Sequence, residues 1–150
     1  MDRGLEIEPE GQSAEWNGHF DLAGVRSSSV ADWVDGFLRG PGGNLALADG
    51  LRLAPRRWEG PLWLPLTALT RCCGPEEHME YVVEADSWER RLAGLAAHLA
   101  SGGSLPPLLA QRRPEGLSVR DGNHRLGMLE RLGATHAAVL VWTDLPDCGH

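Results

Sequence analysis

Three stretches of the chain carry apolar residues at intervals of three and four, the spacing that places them on one face of an α-helix. These apolar positions are Val30, Trp33, Val34, Phe37 and Leu38; then Trp88, Leu92, Leu95, Ala96 and Leu99; and finally Leu126, Leu129 and Leu132. Serines at 27–29 and a capping-box sequence at 86–89 precede the first two stretches. Glycine-containing turns at 40–43, 101–103 and 133 follow the three. The pattern therefore predicts three helices with defined ends.

Other apolar runs predict strands between these helices. Residues 108–110 and 117–120 are short runs typical of strands, and the run AAVLVW at 137–142 is typical of a buried strand. The apolar stretch from residue 62 contains Pro65, which favours an edge position in a sheet. The Asp-Gly pair at 49–50 predicts a small hairpin over 45–58, set apart from that strand by the turn at 59–61. Residues 15–22 are typical of a short hairpin or loop, and 71–77 of a loop.

From residue 62 onward the predicted order is strand, helix, strand, strand, helix, strand. This order predicts an α+β fold of α/β-like character, with a small mixed sheet, packed helices and an N-terminal helical extension. We expect a flexible tail at 1–14, an extension at 15–59 packed on the core, a core at 60–144 and a C-terminal tail at 145–150. The six tryptophans favour packing of the extension on the core.

Composition excludes several classes of protein. The chain of 150 residues has no apolar run near the roughly 20 residues that span a bilayer, so we expect no membrane association and a cytoplasmic location. The net charge of −7 weighs against a nucleic-acid partner. All 14 basic residues are arginines, which excludes a P-loop lysine and a Schiff-base lysine. Any bound phosphate must be held by arginine, histidine and backbone groups.

The three cysteines, Cys72, Cys73 and Cys148, form no even framework for disulfides. Their spacing, even with His150 included, lacks the CxxC or HxxxH patterns of zinc sites. We therefore expect reduced thiols without a metal, and we leave open whether they have a chemical role.

The sequence from 121 to 125 is the strongest candidate for chemistry, because it lies between a predicted strand and a predicted helix. A helix N-terminus offers free backbone N–H groups and a partial positive charge, which together suit an anion. Basic side chains there oppose the helix dipole, so His124 and Arg125 favour a bound anion over a purely structural cap. We predict that Gly122, Asn123, His124 and Arg125 bind phosphate.

Several ordered segments together resemble the ParB/sulfiredoxin superfamily over residues 60–144. They comprise an xPL segment, a helix with a Gly-rich end, a PP-apolar strand, a D-G-x-H-R turn, a Leu-Gly helix end and a final apolar strand. In this chain they are Leu64-Pro65-Leu66, the helix to Gly103, Pro106-Pro107-Leu108-Leu109, the turn at 121–125, Leu132-Gly133 and residues 137–142.

The resemblance implies a ParB/sulfiredoxin-like core that binds a nucleotide by its phosphates at this turn. The superfamily includes CTP-dependent partitioning proteins, ATP-dependent sulfiredoxins and free-serine kinases that use ADP or ATP. Sulfiredoxins carry a catalytic cysteine before the His-Arg pair, whereas this chain has Asn123, so the reductase activity is not expected. The expected ligands are ATP, ADP or CTP with Mg²⁺, and a small-molecule acceptor.

The chain resembles the serine-kinase branch more than the sulfiredoxins in two respects. The turn of that branch opens with an aspartate, matched by Asp121, which would orient a hydroxyl or hold Mg²⁺ with the phosphates. A loop with the sequence PEEH at 75–78 stands where that branch has an acidic residue, so Glu76 or Glu77 is a candidate general base. The acidic balance weighs against the partitioning branch.

Two hypotheses follow from the sequence. The first is a phosphotransferase, such as a small-molecule kinase, or a nucleotide hydrolase, with Asp121, Glu76 and Glu77 as candidate catalytic residues. The second is a non-catalytic module of the same fold that binds a nucleotide or a protein. The preferred nucleotide, the acceptor and the oligomeric state are left open.

Overall fold

The computed structural model describes residues 20–26 and 29–145. Its helices are α1 (Ala23–Arg26), α2 (Val30–Arg39), α3 (Leu45–Leu51), α4 (Ala85–Ala100) and α5 (Asn123–Arg131). Its strands are β1 (Arg56–Pro65), β2 (Leu69–Arg71), β3 (Cys73–Gly74), β4 (Tyr81–Val82), β5 (Leu108–Arg113), β6 (Gly116–Asp121) and β7 (His136–Asp144). A short 3₁₀ turn at Leu66–Ala68 joins β1 to β2. The predicted α+β class is confirmed.

The main sheet is mixed and has the strand order β1-β7-β5-β6-β2. β1 pairs with β7 and β5 with β6 in antiparallel fashion, whereas β5–β7 and β2–β6 are parallel. β7 is interior in the sheet, and its residues 137–142 are all buried, which explains the continuous apolar run in the sequence. β3 and β4 form a separate two-stranded sheet.

Helices cover both faces of the main sheet, which gives a three-layer arrangement. On one face, α4 and α5 bury side chains that include Trp88, Leu92, Leu126 and Leu129. On the other face, α2 and α3 bury Val34, Leu38 and Ala48 against Leu109, Leu140 and Trp142. The two helices from the N-terminal part of the chain therefore belong to the folded body. The exact boundaries at residues 14, 59 and 144 stay predictions.

The predicted helices α2, α4 and α5 are confirmed, but one cap is not where the sequence placed it. Ser29 caps α2 by accepting a hydrogen bond from the N–H of Asp32 at 3.1 Å. The capping box predicted at 86–89 is wrong, because α4 begins at Ala85 and its N-cap is Glu84. The Glu84 carboxylate accepts from the N–H of Ser87 at 3.2 Å. The longer side chain of glutamate can make the contact that aspartate or serine usually makes.

The hairpin predicted over 45–58 is also wrong. The side chain of Asn44 accepts from the N–H of Leu47 at 3.0 Å and starts α3, with Ala48 buried against α2. The Asp-Gly pair that predicted a turn lies inside this helix. Burial of one helical face outweighs the turn preference of two residues.

Two segments that the sequence predicted as a turn and a loop contain parts of β-strands. The segment 59–61 lies inside β1 as a bulge, where the register shifts between Glu59 and Leu62 and the Gly60-Pro61 peptide is cis. The predicted loop at 71–77 contains the end of β2 and all of β3. The edge position predicted for the strand with Pro65 is confirmed, because β1 is the first strand in the sheet order. The tail predicted at 1–14, the tail predicted at 145–150 except residue 145, most of 15–22 and Cys148 fall outside the described residues.

Candidate functional site

The turn between β6 and α5 has a backbone that favours glycine and leaves a helix end open. Gly122 has a φ of 99°, and a Cβ there would lie 2.7 Å from the Leu108 side chain and 2.8 Å from Arg125 Nη2. Gly122 is the N-cap of α5 without a side-chain capping hydrogen bond. The first turn is closed by the N–H of Leu126, which donates to the carbonyl of Gly122 at 2.8 Å. The N–H groups of residues 123–125 therefore have no intrahelical partner.

This turn forms one wall of a cleft of about 530 Å³. The other described residues in its lining are Asn44, Ala46, Leu47, Cys72, Cys73, Tyr81 and Arg120. Four of the residues predicted from the sequence, Asp121, Gly122, Asn123 and His124, thus lie together in this wall. Arg125, Glu76 and Glu77 are not part of the described lining. The opposite wall comes from α3, which sequence patterns had misassigned.

Asn123 is buried, and its side chain is used inside the protein. Its Oδ1 accepts from the N–H of Cys72 at 2.9 Å and from the N–H of Cys73 at 3.3 Å. Its Nδ2 donates to the carbonyl of Val119 at 3.0 Å. The amide thus ties the segment after β2 to the end of β6 and the start of α5. Only the backbone N–H of Asn123 is left for a ligand.

His124 packs against α4 and is neutral at physiological pH. Its ring lies 4.5 Å from the ring of Trp88, centroid to centroid. Burial, followed by the charges of Arg91 and Arg125, lowers the pKa of His124 to about 4. A neutral imidazole offers one N–H donor and one acceptor. His124 can therefore hydrogen-bond a phosphate oxygen, but it brings no charge.

The guanidinium of Arg125 is turned into the protein. Its Nη2 donates to the carbonyl of Pro107 at 3.1 Å and to the Asp121 carboxylate at 3.2 Å, and its charge lies 5.9 Å from the ring of Phe37. Burial lowers the pKa of Arg125, and the negative charge of Asp121 acts in the opposite direction. Its Nε is buried without a hydrogen-bond partner among the described residues. Through these two hydrogen bonds, Arg125 holds the carboxylate of Asp121 and the segment directly before β5 in place.

The two candidate bases lie away from this wall. Glu76 receives two hydrogen bonds from Arg71, at 2.8 and 3.1 Å, and these contacts lower the pKa of its carboxyl group. Arg71 also lies 3.4 Å from the carboxylate of Glu130. Glu77 is exposed to solvent. A carboxylate with a lowered pKa is a weaker base, so these contacts do not strengthen the catalytic role predicted for Glu76. The catalytic roles of Glu76 and Glu77 stay predictions.

Tyr81 and Arg120 also line the cleft, although no pattern in the sequence pointed to them. Tyr81 is 55% exposed, and the Arg120 guanidinium lies 5.8 Å from its ring centroid. Arg120 donates to Glu80 at 2.9 and 3.1 Å and to Ser118 at 3.0 Å. Because side chains alternate along β6, Ser118 and Arg120 lie on the same side of the strand. The sequence shows this spacing, but only the sheet shows that this side faces the cleft.

The carboxylate of Asp121 is the group that the sequence predicted for Mg²⁺. No group of three or more His, Cys, Asp or Glu side chains in the described part of the chain is arranged to hold a metal ion. Mg²⁺ often keeps several waters and takes one or two carboxylates together with substrate phosphates. A single aspartate in the cleft wall fits Mg²⁺ that is held mainly by waters and substrate phosphates. It does not fit a metal site built from protein side chains alone.

Comparisons with known proteins give a limited likeness. No family model and no curated protein matches the chain. A conserved hypothetical protein from Pyrococcus furiosus is 22% identical over 58% of this chain and 33% of its own, with a TM-score of 0.42. Two structures of a pNOB8-like ParB N-domain are 17% identical over 59% of this chain, with TM-scores of 0.37 and 0.36.

These matches cover a third or less of each solved structure, at 33%, 30% and 28% of their chains. The structural neighbours of this chain thus include ParB N-domain structures, over part of their length. In the described part of the chain, no helix is long and apolar enough to cross a bilayer.

Proposed function

We propose that the protein binds a nucleotide in the cleft, with the phosphates at the turn from Asp121 to His124. The observation that carries this proposal is the uncapped N-terminus of α5, which forms part of the cleft wall. Free backbone N–H groups and the positive end of the helix dipole favour a phosphate at such a position. The neutral ring of His124 adds a further donor.

The rest of the cleft suits the less polar part of a nucleotide. Ala46, Leu47 and the exposed ring of Tyr81 line it. An aromatic ring can stack on a nucleobase, and small apolar side chains can contact a ribose without leaving polar groups unpaired. The volume of about 530 Å³ lies within the range of small-molecule sites. When Mg²⁺ accompanies the nucleotide, Asp121 is the side chain that would hold it.

Isothermal titration calorimetry with ATP, ADP, CTP and GTP, each with and without Mg²⁺, tests the proposal. We expect one nucleotide to bind with a dissociation constant in the micromolar range or below. An Ala46→Trp variant, which fills the cleft, should abolish that binding. An Ala97→Trp variant, which places the same ring on the exposed side of α4, should bind like the wild type. Absence of binding by all four nucleotides, or undiminished binding by the Ala46→Trp variant, contradicts the proposal.

Phosphoryl transfer to a hydroxyl acceptor, or nucleotide hydrolysis, is the second candidate function. It is favoured by the Asp121 carboxylate, which lies in the same wall as the open helix end. Product analysis with the bound nucleotide and a panel of hydroxyl compounds separates an enzyme from a binding module. Turnover that falls strongly in an Asp121→Asn variant, with binding retained, supports catalysis. Binding without any product supports the non-catalytic module.

A further inference from the structure

A nucleotide triphosphate brings several negative charges, yet the arginines closest to the cleft are already paired. Arg71 is held by Glu76, Arg120 by Glu80, and Arg125 by Asp121. Each pair is close to neutral, and the three arginine side chains are only 13–14% exposed, so none of them can turn towards a ligand without losing its carboxylate partner. A cation that has no carboxylate partner would pair with a phosphate at lower cost.

Arg91 meets this requirement. Its side chain is exposed, and among the described residues it has neither a hydrogen bond nor an ion pair. It lies on α4 three residues after Trp88, and residues at this spacing are neighbours on one face of a helix. Trp88 in turn packs on the ring of His124 at 4.5 Å. Arg91 thus lies on the part of α4 that packs near the start of α5.

The electrostatic effects of Arg91 agree with this position. Its charge contributes to the lowered pKa of His124, after burial, and it opposes the rise in the pKa of the Cys73 thiol that burial causes. His124 and Cys73 both line the cleft. The positive charge of Arg91 therefore acts on two residues that line the cleft, and no carboxylate of the described residues pairs with it.

We propose that Arg91 is the side chain that pairs with the phosphate groups of the ligand, in the role that the sequence assigned to Arg125. The long, exposed side chain can reorient towards an anion at the start of α5, whereas the buried guanidinium of Arg125 holds the turn in place. This inference rests on the proposed nucleotide function and adds the residue that neutralises the ligand.

An Arg91→Ala variant tests the inference, with Arg90→Ala as the matched control. Arg90 is the adjacent arginine on α4, is exposed, and makes no ion pair with a described residue. Titrations use the nucleotide that the wild type binds most tightly among ATP, ADP, CTP and GTP, and tripolyphosphate as a probe that lacks the nucleoside. One charge-assisted contact contributes about 1.5–3 kcal/mol, so we expect about tenfold or greater loss of affinity for both ligands in Arg91→Ala. Arg90→Ala should stay within about twofold of the wild type.

The outcomes separate the two proposals. If the wild type binds one of the nucleotides and Arg91→Ala binds it equally well, the inference is overturned while the proposed function stands. If the wild type binds none of the nucleotides, both are overturned. NMR titration of the free proteins gives a readout without a ligand: the pKa of His124 should rise in Arg91→Ala and not in Arg90→Ala. An unchanged pKa in Arg91→Ala would show that Arg91 lies too far from the site.

Discussion

Asn123 determines the local structure of the site through three hydrogen bonds to the backbone. It accepts from the N–H groups of Cys72 and Cys73 and donates to the carbonyl of Val119. A replacement side chain needs both an acceptor and a donor. Without the acceptor, the N–H of buried Cys72 loses its partner, and without the donor, the carbonyl of Val119 loses its partner. A cysteine at position 123 could not make this connection between two segments of the chain.

We predict that Asn123→Ala lowers the free energy of unfolding by about 2–4 kcal/mol, since it leaves buried backbone groups unsatisfied. Urea denaturation followed by circular dichroism measures the change. An Asn123→Asp variant keeps the acceptor and loses the donor, so it separates the two halves of the interaction at a pH where the carboxyl group is ionised. A loss below about 0.5 kcal/mol in Asn123→Ala would show that these hydrogen bonds contribute little.

The pKa of His124 leads to a second prediction at the scale of residues, on how stability depends on pH. An unfolded histidine has a pKa of about 6.5, whereas the folded chain lowers it to about 4. Because the unfolded chain takes up a proton that the folded protein excludes, stability falls as the pH drops from 6.5 towards 4. After allowance for solvent screening, the wild type should lose about 1 kcal/mol more than His124→Gln between pH 7 and pH 5.

Urea denaturation of both proteins at the two pH values measures this difference. The range above pH 5 is chosen because carboxylates with lowered pKa values, such as that of Glu76, titrate below it. An equal loss in the two proteins would show that His124 is not the group that takes up the proton.

At the scale of single residues, the sequence identified the turn but not the direction of its side chains. The order Asp, Gly, Asn, His, Arg predicted an anion site, and residues 121–124 do lie together in a cleft wall. Arg125 is one helical position further on and points into the protein, towards the carbonyl of Pro107. Local sequence cannot distinguish these two directions, because they depend on Pro107 and Phe37, far away in the chain.

Sequence patterns predicted the longer helices of the chain and missed the short helix α3. The apolar stripes of α2, α4 and α5 predicted those helices, because their buried faces follow a period of 3.6 residues. α3 has seven residues, too few to establish such a period. An Asn cap and burial of Ala48 stabilise it, and the second of these depends on a neighbour, α2, that sequence patterns do not supply.

The cap of α4 gives a prediction at the scale of elements. Glu84→Ala removes the side chain that accepts from the N–H of Ser87 and should lower stability by about 0.5–1 kcal/mol. Asp86→Ala, the change at the cap expected from sequence, should cost only a few tenths of a kcal/mol through the helix dipole. Thermal or urea denaturation of the two variants compares them directly. A larger effect of Asp86→Ala would show that α4 begins later than Ala85.

At the scale of the molecule, one sheet connects the two helical layers. Leu109 and Leu140 face the layer of α2 and α3, whereas Leu108 and Val139 face the layer of α4 and α5. The cleft lies between contributions of both layers, since α3 provides one wall and the start of α5 the other. The sequence predicted that the N-terminal part packs on the core, but not that it completes the candidate site.

We predict that Leu38→Ala, in the α2 layer, lowers the stability of the whole molecule by about 2–5 kcal/mol, because this leucine is fully buried. Since the sheet is shared, circular dichroism and tryptophan fluorescence should report one coincident transition. Two separate transitions, with only the first shifted by the substitution, would show that the α2 layer unfolds independently of the sheet.

The central claim is that a phosphate-bearing ligand binds at the open N-terminus of α5. The most direct measurement is a titration of isotope-labelled protein with ATP, ADP, CTP and GTP in turn, each with Mg²⁺, followed by two-dimensional amide NMR. We predict that one of the four shifts the amides of Asn123, His124 and Arg125 the most, because their N–H groups have no intrahelical partner. Absence of shifts at these amides with all four nucleotides at millimolar concentration, or shifts confined to another surface, would contradict the claim.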